Sequence, residues 1–323
     1  MKKLPIHQYL PHASELVYGC MGLGGSWNKD PLTQKDFMQA HQVIEHVLDS
    51  QINFFDHADI YQFGKAEQVF GKVLKENPSL RENMIIQSKC GIRFEDKSGP
   101  ARYDLSGEWI CESTNNILAR LNTEYLDVLV LHRPDPLMDP EEIAQAFADL
   151  KASGKVKYFG LSNMHISQAA YLAQAIEQPL IVNQLELSLT NLNWLEEGVF
   201  AGNPDGSHVN FTSGTLEYAR RNDMQIQSWG SLSQGLFSGK DISKEPIGIQ
   251  RTAEYIKTLA DVYNTSPESI VLAWLLRHPS AVQPVIGSTN IQRISACKQA
   301  LAIKLTREQW YQIYILARGA KLP

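Results

Sequence analysis

Eight short apolar runs, one for about every 40 residues of the 323-residue chain, constrain the fold more than any other feature of the sequence. They are LVYGCMG (16–22), INFFDHA (52–58), MIIQSKC (84–90), LDVLVLH (126–132), VKYFGLS (156–162), LIVNQL (180–185), MQIQSW (224–229) and AVQPVIG (281–287). Several are apolar at consecutive rather than alternate positions, as expected of parallel strands covered on both faces. Between them, residues 36–48, 66–74, 109–121, 140–150, 168–176, 215–221 and 251–263 carry apolar positions at helical spacing. Strand then helix, eight times over, predicts an α/β protein built as a (β/α)8 TIM barrel. A doubly wound sheet shows the same alternation, but its first turn carries the spacing G-x-G-x-x-G and a helix follows at once. Gly19, Gly22, Gly24 and Gly25 lack that spacing. No linker-like stretch interrupts the pattern, so residues 1–323 read as one barrel domain, with 307–318 a helix added outside it.

Composition narrows the function classes. With 30 Lys and Arg against 35 Asp and Glu, the formal charge is −5, and no basic run offers a footprint for nucleic acid or an anionic membrane. Cys20, Cys90, Cys111 and Cys297 are scattered, without the spacing of a zinc site or a disulfide framework. The opening MKKLPIHQYLPH lacks the apolar block of a signal peptide, and no run reaches the roughly 20 residues of a membrane-spanning helix. The expectation is a cytoplasmic protein, monomeric or weakly oligomeric, that acts on a small molecule. The glycosylation patterns at Asn210 and Asn264 are then accidental.

In a barrel of this kind chemistry gathers at the C-terminal ends of the strands. The second run ends in Asp56, with Tyr61 five residues on; the third ends near Lys89 and the fourth at His132. The fifth leads into Ser162 and Asn163, and the sixth carries Gln184. A phenol beside an ammonium has its pKa lowered toward the working range of a proton donor, which is the expectation for Tyr61 beside Lys89. A buried lysine needs a carboxylate, and Asp56 is the candidate. His132 would orient a substrate oxygen or relay a proton.

The stretches FDHADIYQFGKAEQVFG, IIQSKCG, LDVLVLHRPDPLMDP, GKVKYFGLSN and VNQLE, in this order and spacing, resemble the aldo-keto reductases. DHADIY with HRPDPLMD is closer to the bacterial YdhF-type oxidoreductase branch than to the mammalian steroid-reducing enzymes. The resemblance implies NADPH-dependent reduction of an aldehyde or ketone to an alcohol. Tyr61 would be the general acid tuned by Lys89 and Asp56, and His132 would hold the carbonyl. It places Ser162, Asn163 and Gln184 on the nicotinamide carboxamide and Trp229 against the nicotinamide ring. Gly230, Ser231, Leu232, Gln234, Gly235 and Lys240 would serve the pyrophosphate, and Gly287, Ser288, Thr289 and Arg293 the adenosine 2′-phosphate. The chain departs from the family at Gly287, where many members carry lysine, and at Cys297, where they carry Asn or Gln. NADPH is expected over NADH, and no metal is required.

Met21, Trp27 and Phe63 are the expected substrate contacts, and the insertion 191–211 an expected pocket wall. One rival reading is a metal-dependent hydrolase using Asp56, His57, Asp59 and His132, which leaves Tyr61 and Lys89 idle. His41 and His46, five residues apart on one helix, face different ways and make no metal pair. The other rival is an NADP(H)-binding regulatory or redox-sensing subunit with little turnover.

Overall fold

A computed structural model describes residues 3–323. Eight parallel strands close into a barrel in chain order: β1 (Val17–Gly19), β2 (Phe54–Asp56), β3 (Ile85–Cys90), β4 (Leu126–Leu131), β5 (Val156–Ser162), β6 (Leu180–Glu186), β7 (Gln225–Trp229) and β8 (Gln283–Ile286), which pairs back onto β1. Every one lies inside one of the eight apolar runs or extends it by one residue. The first run keeps only three residues as strand, because Cys20–Gly22 winds into a 3-10 turn at the barrel mouth.

The helices follow their local chemistry. α1 (Gln34–Asp49) starts at a capping box in which Thr33 accepts from the Asp36 amide and Asp36 returns the contact. α2 (Lys65–Glu76), α3 (Gly107–Leu121, capped by Ser106), α4 (Pro140–Ala152, capped by Asp139) and α5 (Ile166–Ala175) follow β2 to β5 in turn. β6 is followed by α6 (Asn193–Val199) and α7 (Thr215–Arg221), and β7 by α8 (Ile247–Val262) and α9 (Pro267–Leu276). α10 (Ile291–Gln299) and α11 (Arg307–Arg318) close the chain, with α11 lying on α8 as the expected addition.

Three helices escape the pattern of the sequence. α9 is buried on all sides, from Ser269 through Leu275, so its apolar residues show no stripe of period 3.6. α6 and α10 are short and are carried by tertiary contacts. The insertion 191–211 also lies elsewhere than expected. Trp194 packs edge-on against Trp274, with ring centroids 5.7 Å apart, and buried Glu196 accepts from Tyr314 and pairs with Arg318 at 2.9 Å. The segment therefore clamps α9 and α11 and does not wall the pocket.

The barrel has an apolar floor and a polar upper layer. Leu4, Ile6 and Leu10 close the floor against Phe54, Val128 and Ile181. Above them, fully buried Gln87, Gln227 and Gln283 occupy interior positions that barrels ordinarily fill with branched aliphatic residues.

Candidate active site

Asp56 ends β2 and stands in register between Gly19 of β1 and Gln87 of β3. Lys89 lies two residues beyond Gln87, so both side chains leave the same face of β3. Tyr61 arrives by a sharp turn: Gln62, Phe63 and Gly64 all have left-handed backbone (φ 52°, 60° and 85°). For the two side-chain-bearing residues that conformation is uncommon, and the Gln62 side chain anchors the turn by donating to Met21 O at 3.0 Å. Its effect is to direct the phenol back over the strand ends.

The Lys89 ammonium is 1% exposed and donates all three protons: to Asp56 Oδ2 at 2.7 Å, to His57 O at 3.0 Å and to Tyr61 Oη at 3.0 Å. Burial works to lower the Lys89 pKa, but Asp56 and Tyr61 outweigh it, and the group stays charged. Tyr61 differs from the expectation. Burial raises its phenol and the Lys89 charge offsets only part of that, so the net direction is up. Tyr61 is thus a neutral phenol that accepts from Lys89 and keeps its own proton to give. The His132 ring stands nearly perpendicular to that of Tyr61, at 83° with centroids 6.1 Å apart. Burial, and then the charges of Lys89 and Arg133, hold its imidazole well below the ordinary histidine range, so it is neutral.

Asp56, Tyr61 and His132 face a cavity of about 750 Å³, and Lys89 supports them from behind. Ser162, Asn163, Gln184, Trp229, Gly230, Ser231, Leu232, Gln234, Gly235, Gly287, Ser288, Thr289 and Arg293 also line it, with Met21 and Trp27 at the tetrad end. Two of the expected residues lie apart. Phe63 lines a neighbouring cavity of about 530 Å³ and its ring meets the site at Trp27, centroids 5.8 Å apart. Lys240 is exposed and outside the cavity, because the loop turns away after Gly235.

The amides at the mouth are already oriented. Asn163 Nδ2 donates to Ser162 Oγ at 2.8 Å and to His132 O at 3.2 Å, while its Oδ1 accepts from Trp229 Nε1 at 3.0 Å. Gln184 is set from below by a chain of glutamines. Gln87 Nε2 donates to Asp56 Oδ1 at 2.6 Å and to Gln227 Oε1 at 2.9 Å; Gln184 Nε2 donates to the same Gln227 oxygen at 3.0 Å. Gln227 Nε2 in turn donates to Gln283 Oε1 at 3.1 Å, and Gln283 Nε2 to Ser14 O at 2.7 Å. A carboxylate at one end and a carbonyl at the other are acceptors only, so every amide in the chain has one permitted orientation. Gln184 consequently spends its N–H on the barrel core and has its Oε1 left for the cavity. Gln87, Gln227 and Gln283 were not among the expected residues. The available signal was spacing by two: Gln87 with Lys89, and Gln225 and Gln227 with Trp229, share strand faces.

A dinucleotide fits the remaining lining. Gly230, Ser233, Gln234 and Gly235 all have positive φ (69°, 48°, 54° and 84°), a backbone that turns amide N–H groups toward an anion. Arg293 lies in the first turn of α10, its Nε on Glu268 at 3.0 Å and its Nη2 on Ser238 at 2.9 Å. Among the described residues, no three His, Cys, Asp or Glu side chains gather as a metal site. His57 packs edge-on against Phe70, and Asp59 accepts from Ser113 at 2.7 Å outside the barrel. His46 bonds Ser295 and His41 pairs with Glu45, each on its own. Among the described residues no helix is long and apolar enough to cross a membrane.

Comparison with known proteins identifies the family. The profile of the Aldo/keto reductase family matches residues 15–318. The uncharacterized oxidoreductase YcsN of Bacillus subtilis is 34% identical over 93% of this chain and 94% of its own. Oxidoreductase YdhF of Escherichia coli is 34% identical over the full length of both chains. An aldo/keto reductase from Klebsiella pneumoniae, solved in complex with NADP and acetate, superimposes with a TM-score of 0.71 at 20% identity, covering 94% of this chain and 92% of that one. An oxidoreductase whose eight strands close in order around these buried polar groups, the chain belongs to the aldo/keto reductase family.

Proposed function

We propose that this protein uses NADPH to reduce an aldehyde or ketone to an alcohol. The observation that carries the reading is the Lys89 ammonium, which bonds Asp56 and Tyr61 at once and leaves the Tyr61 proton facing the cavity. When bound, the reduced nicotinamide supplies the hydride that the carbonyl carbon accepts. Tyr61 Oη gives its proton to the carbonyl oxygen, and the Lys89 ammonium steadies the phenolate that results. Neutral His132 directs an N–H at the same oxygen and so favours the charge that develops on it. Asp56 keeps Lys89 charged in a buried site. Asn163 and Gln184 hold the carboxamide and Trp229 backs the ring, which decides the face presented to the substrate. The family is one of carbonyl-reducing enzymes, and NADP in the Klebsiella relative supports the choice of nucleotide.

The test is Tyr61→Phe. Loss of the general acid should lower kcat at least roughly 10²–10⁴-fold while NADPH still binds. Near-normal reduction by that variant would sink the assignment, and tight NADPH binding by a wild type that turns over no carbonyl would favour a sensing role instead. For the nucleotide, Ser288, Thr289, the start of α10 and Arg293 suit a 2′-phosphate. Arg293→Ala should weaken NADPH about tenfold more than NADH, and equal losses would refute that placement.

A further inference from the structure

Each charge in the cavity has a partner, with one exception. Asp56 is paired with Lys89 at 2.7 Å and Arg293 with Glu268 at 3.0 Å. Arg133, the residue after His132 at the end of β4, lines the same cavity and is partly buried. Among the described residues no carboxylate lies within ion-pair distance of it, and none of its five N–H donors has an acceptor. The centroid of the Trp229 ring lies 5.9 Å from its guanidinium carbon. The group is therefore held at the reacting end, between the ring that backs the nicotinamide and the histidine that faces the carbonyl. The adenosine end has its own guanidinium in Arg293. Beyond the tetrad itself, Met21, Trp27, Ile60 and Ile92 give that end of the cavity an apolar wall. A neutral apolar substrate seated there would strip water from a guanidinium and give nothing back, which is unfavourable for a charge.

We propose that Arg133 selects carbonyl substrates bearing an anionic group, a carboxylate or a phosphate, a few bonds from the reacting carbon. The inference rests on the carbonyl-reduction reading above. The planar fork accepts either anion through two parallel N–H···O contacts, which fixes the carbonyl relative to Tyr61 and His132 as well as binding it. Arg133 is a specificity residue, and the chemistry stays with Tyr61.

The experiment compares kcat/KM for matched pairs, 4-carboxybenzaldehyde against benzaldehyde and glyceraldehyde 3-phosphate against glyceraldehyde, in the wild type, Arg133→Lys and Arg133→Met. The wild type should prefer the charged member of at least one pair by about tenfold or more, and the pair that responds identifies the anion. That ratio should fall to about one in Arg133→Met, mostly through KM, and partly recover in Arg133→Lys. Calorimetric titration of the NADP+-loaded protein with 4-carboxybenzyl alcohol and benzyl alcohol, and with glycerol 3-phosphate and glycerol, reads the same preference without turnover. Arg133-dependent binding of the charged alcohol by a protein that reduces nothing would support the anion site while overturning the reductase reading. Ratios near one for both pairs, equal losses for charged and neutral members in Arg133→Met, or NADPH binding weakened as much as the charged substrate would overturn the proposal.

Discussion

Asp56 and Asp59 stand three residues apart in DHADIY, and both hang from Lys89, yet they live in different chemistry. Asp56 points into the barrel and holds the Lys89 ammonium at 2.7 Å; Asp59 points outward, and its backbone N–H donates to Lys89 O at 3.0 Å. Inside, the carboxylate meets a cation and the Gln87 amide. Outside, Asp59 has one hydroxyl, that of Ser113, and its Oδ1 is enclosed without a protein partner. Burial lifts the Asp59 pKa to about 7, against the smaller opposing effect of Ser113. Burial is common to both carboxyls. What separates a group built for chemistry from one that costs stability is the partner supplied across the strands.

The strongest way to break the comparison is to make the inner carboxyl resemble the outer one. Asp56→Asn takes the paired carboxylate from buried Lys89, so burial works to neutralise it against the weaker hold of Tyr61. Turnover should fall roughly 10²–10³-fold and stability by about 3 kcal/mol. Steady-state kinetics beside urea unfolding check both, and turnover within a few fold of wild type would remove Asp56 from the machinery.

Gln87→Leu is a smaller perturbation of the same region. It deletes the donor to Asp56 Oδ1 and to Gln227 at once, so the Gln227 and Gln184 amides are held from the Gln283 side alone. An expected loss of about tenfold in kcat/KM should be accompanied by weaker nucleotide binding, because Gln184 is then positioned by a chain anchored at one end in place of two. A change in stability alone, with kinetics and nucleotide affinity unmoved, would confine the glutamine chain to a structural part.

The outer carboxyl should give the smallest effect on turnover and the clearest on stability. Its folded value of about 7 lies above the ordinary 3.8, so the unfolded chain gives up this proton first. Asp59 therefore costs nothing below pH about 4, costs more as pH rises through the window to about 7, and costs its full amount above it. Asp59→Asn should raise stability at pH 8 by on the order of 2 kcal/mol and change it little at pH 4, with turnover within about threefold. His57, held near 3 by burial, contributes the opposite slope as pH falls below 6.5, so the difference between variant and wild type isolates Asp59. Urea midpoints at the two pH values decide it; equal shifts at both would mean that packing and not titration is responsible.

Much of this is legible in the sequence. The eight runs place Asp56, Lys89, His132, Ser162 and Gln184 at strand ends, and strand ends in a barrel converge. The glutamine chain was not legible, because Gln87 and Gln227 are 140 positions apart and meet only when the barrel closes. Lys240 lies next to a loop that lines the site, yet the φ values from Gly230 to Gly235 carry the chain away before it. α9 was hidden by its own burial, since a helix surrounded by protein shows no polar face.

The sequence by itself determined the order of strands, the residues that end them and, through the motifs they form, the family. Those are local or periodic properties, written in short stretches. Only the tertiary structure decided that Tyr61 is held neutral, that Asp56 has a cation for its partner while Asp59 has a hydroxyl, and that Arg133 stands in the cavity without a countercharge. The reason is that charge state and hydrogen-bond satisfaction depend on every neighbour within a few ångströms, and in a closed barrel most of those neighbours come from distant strands.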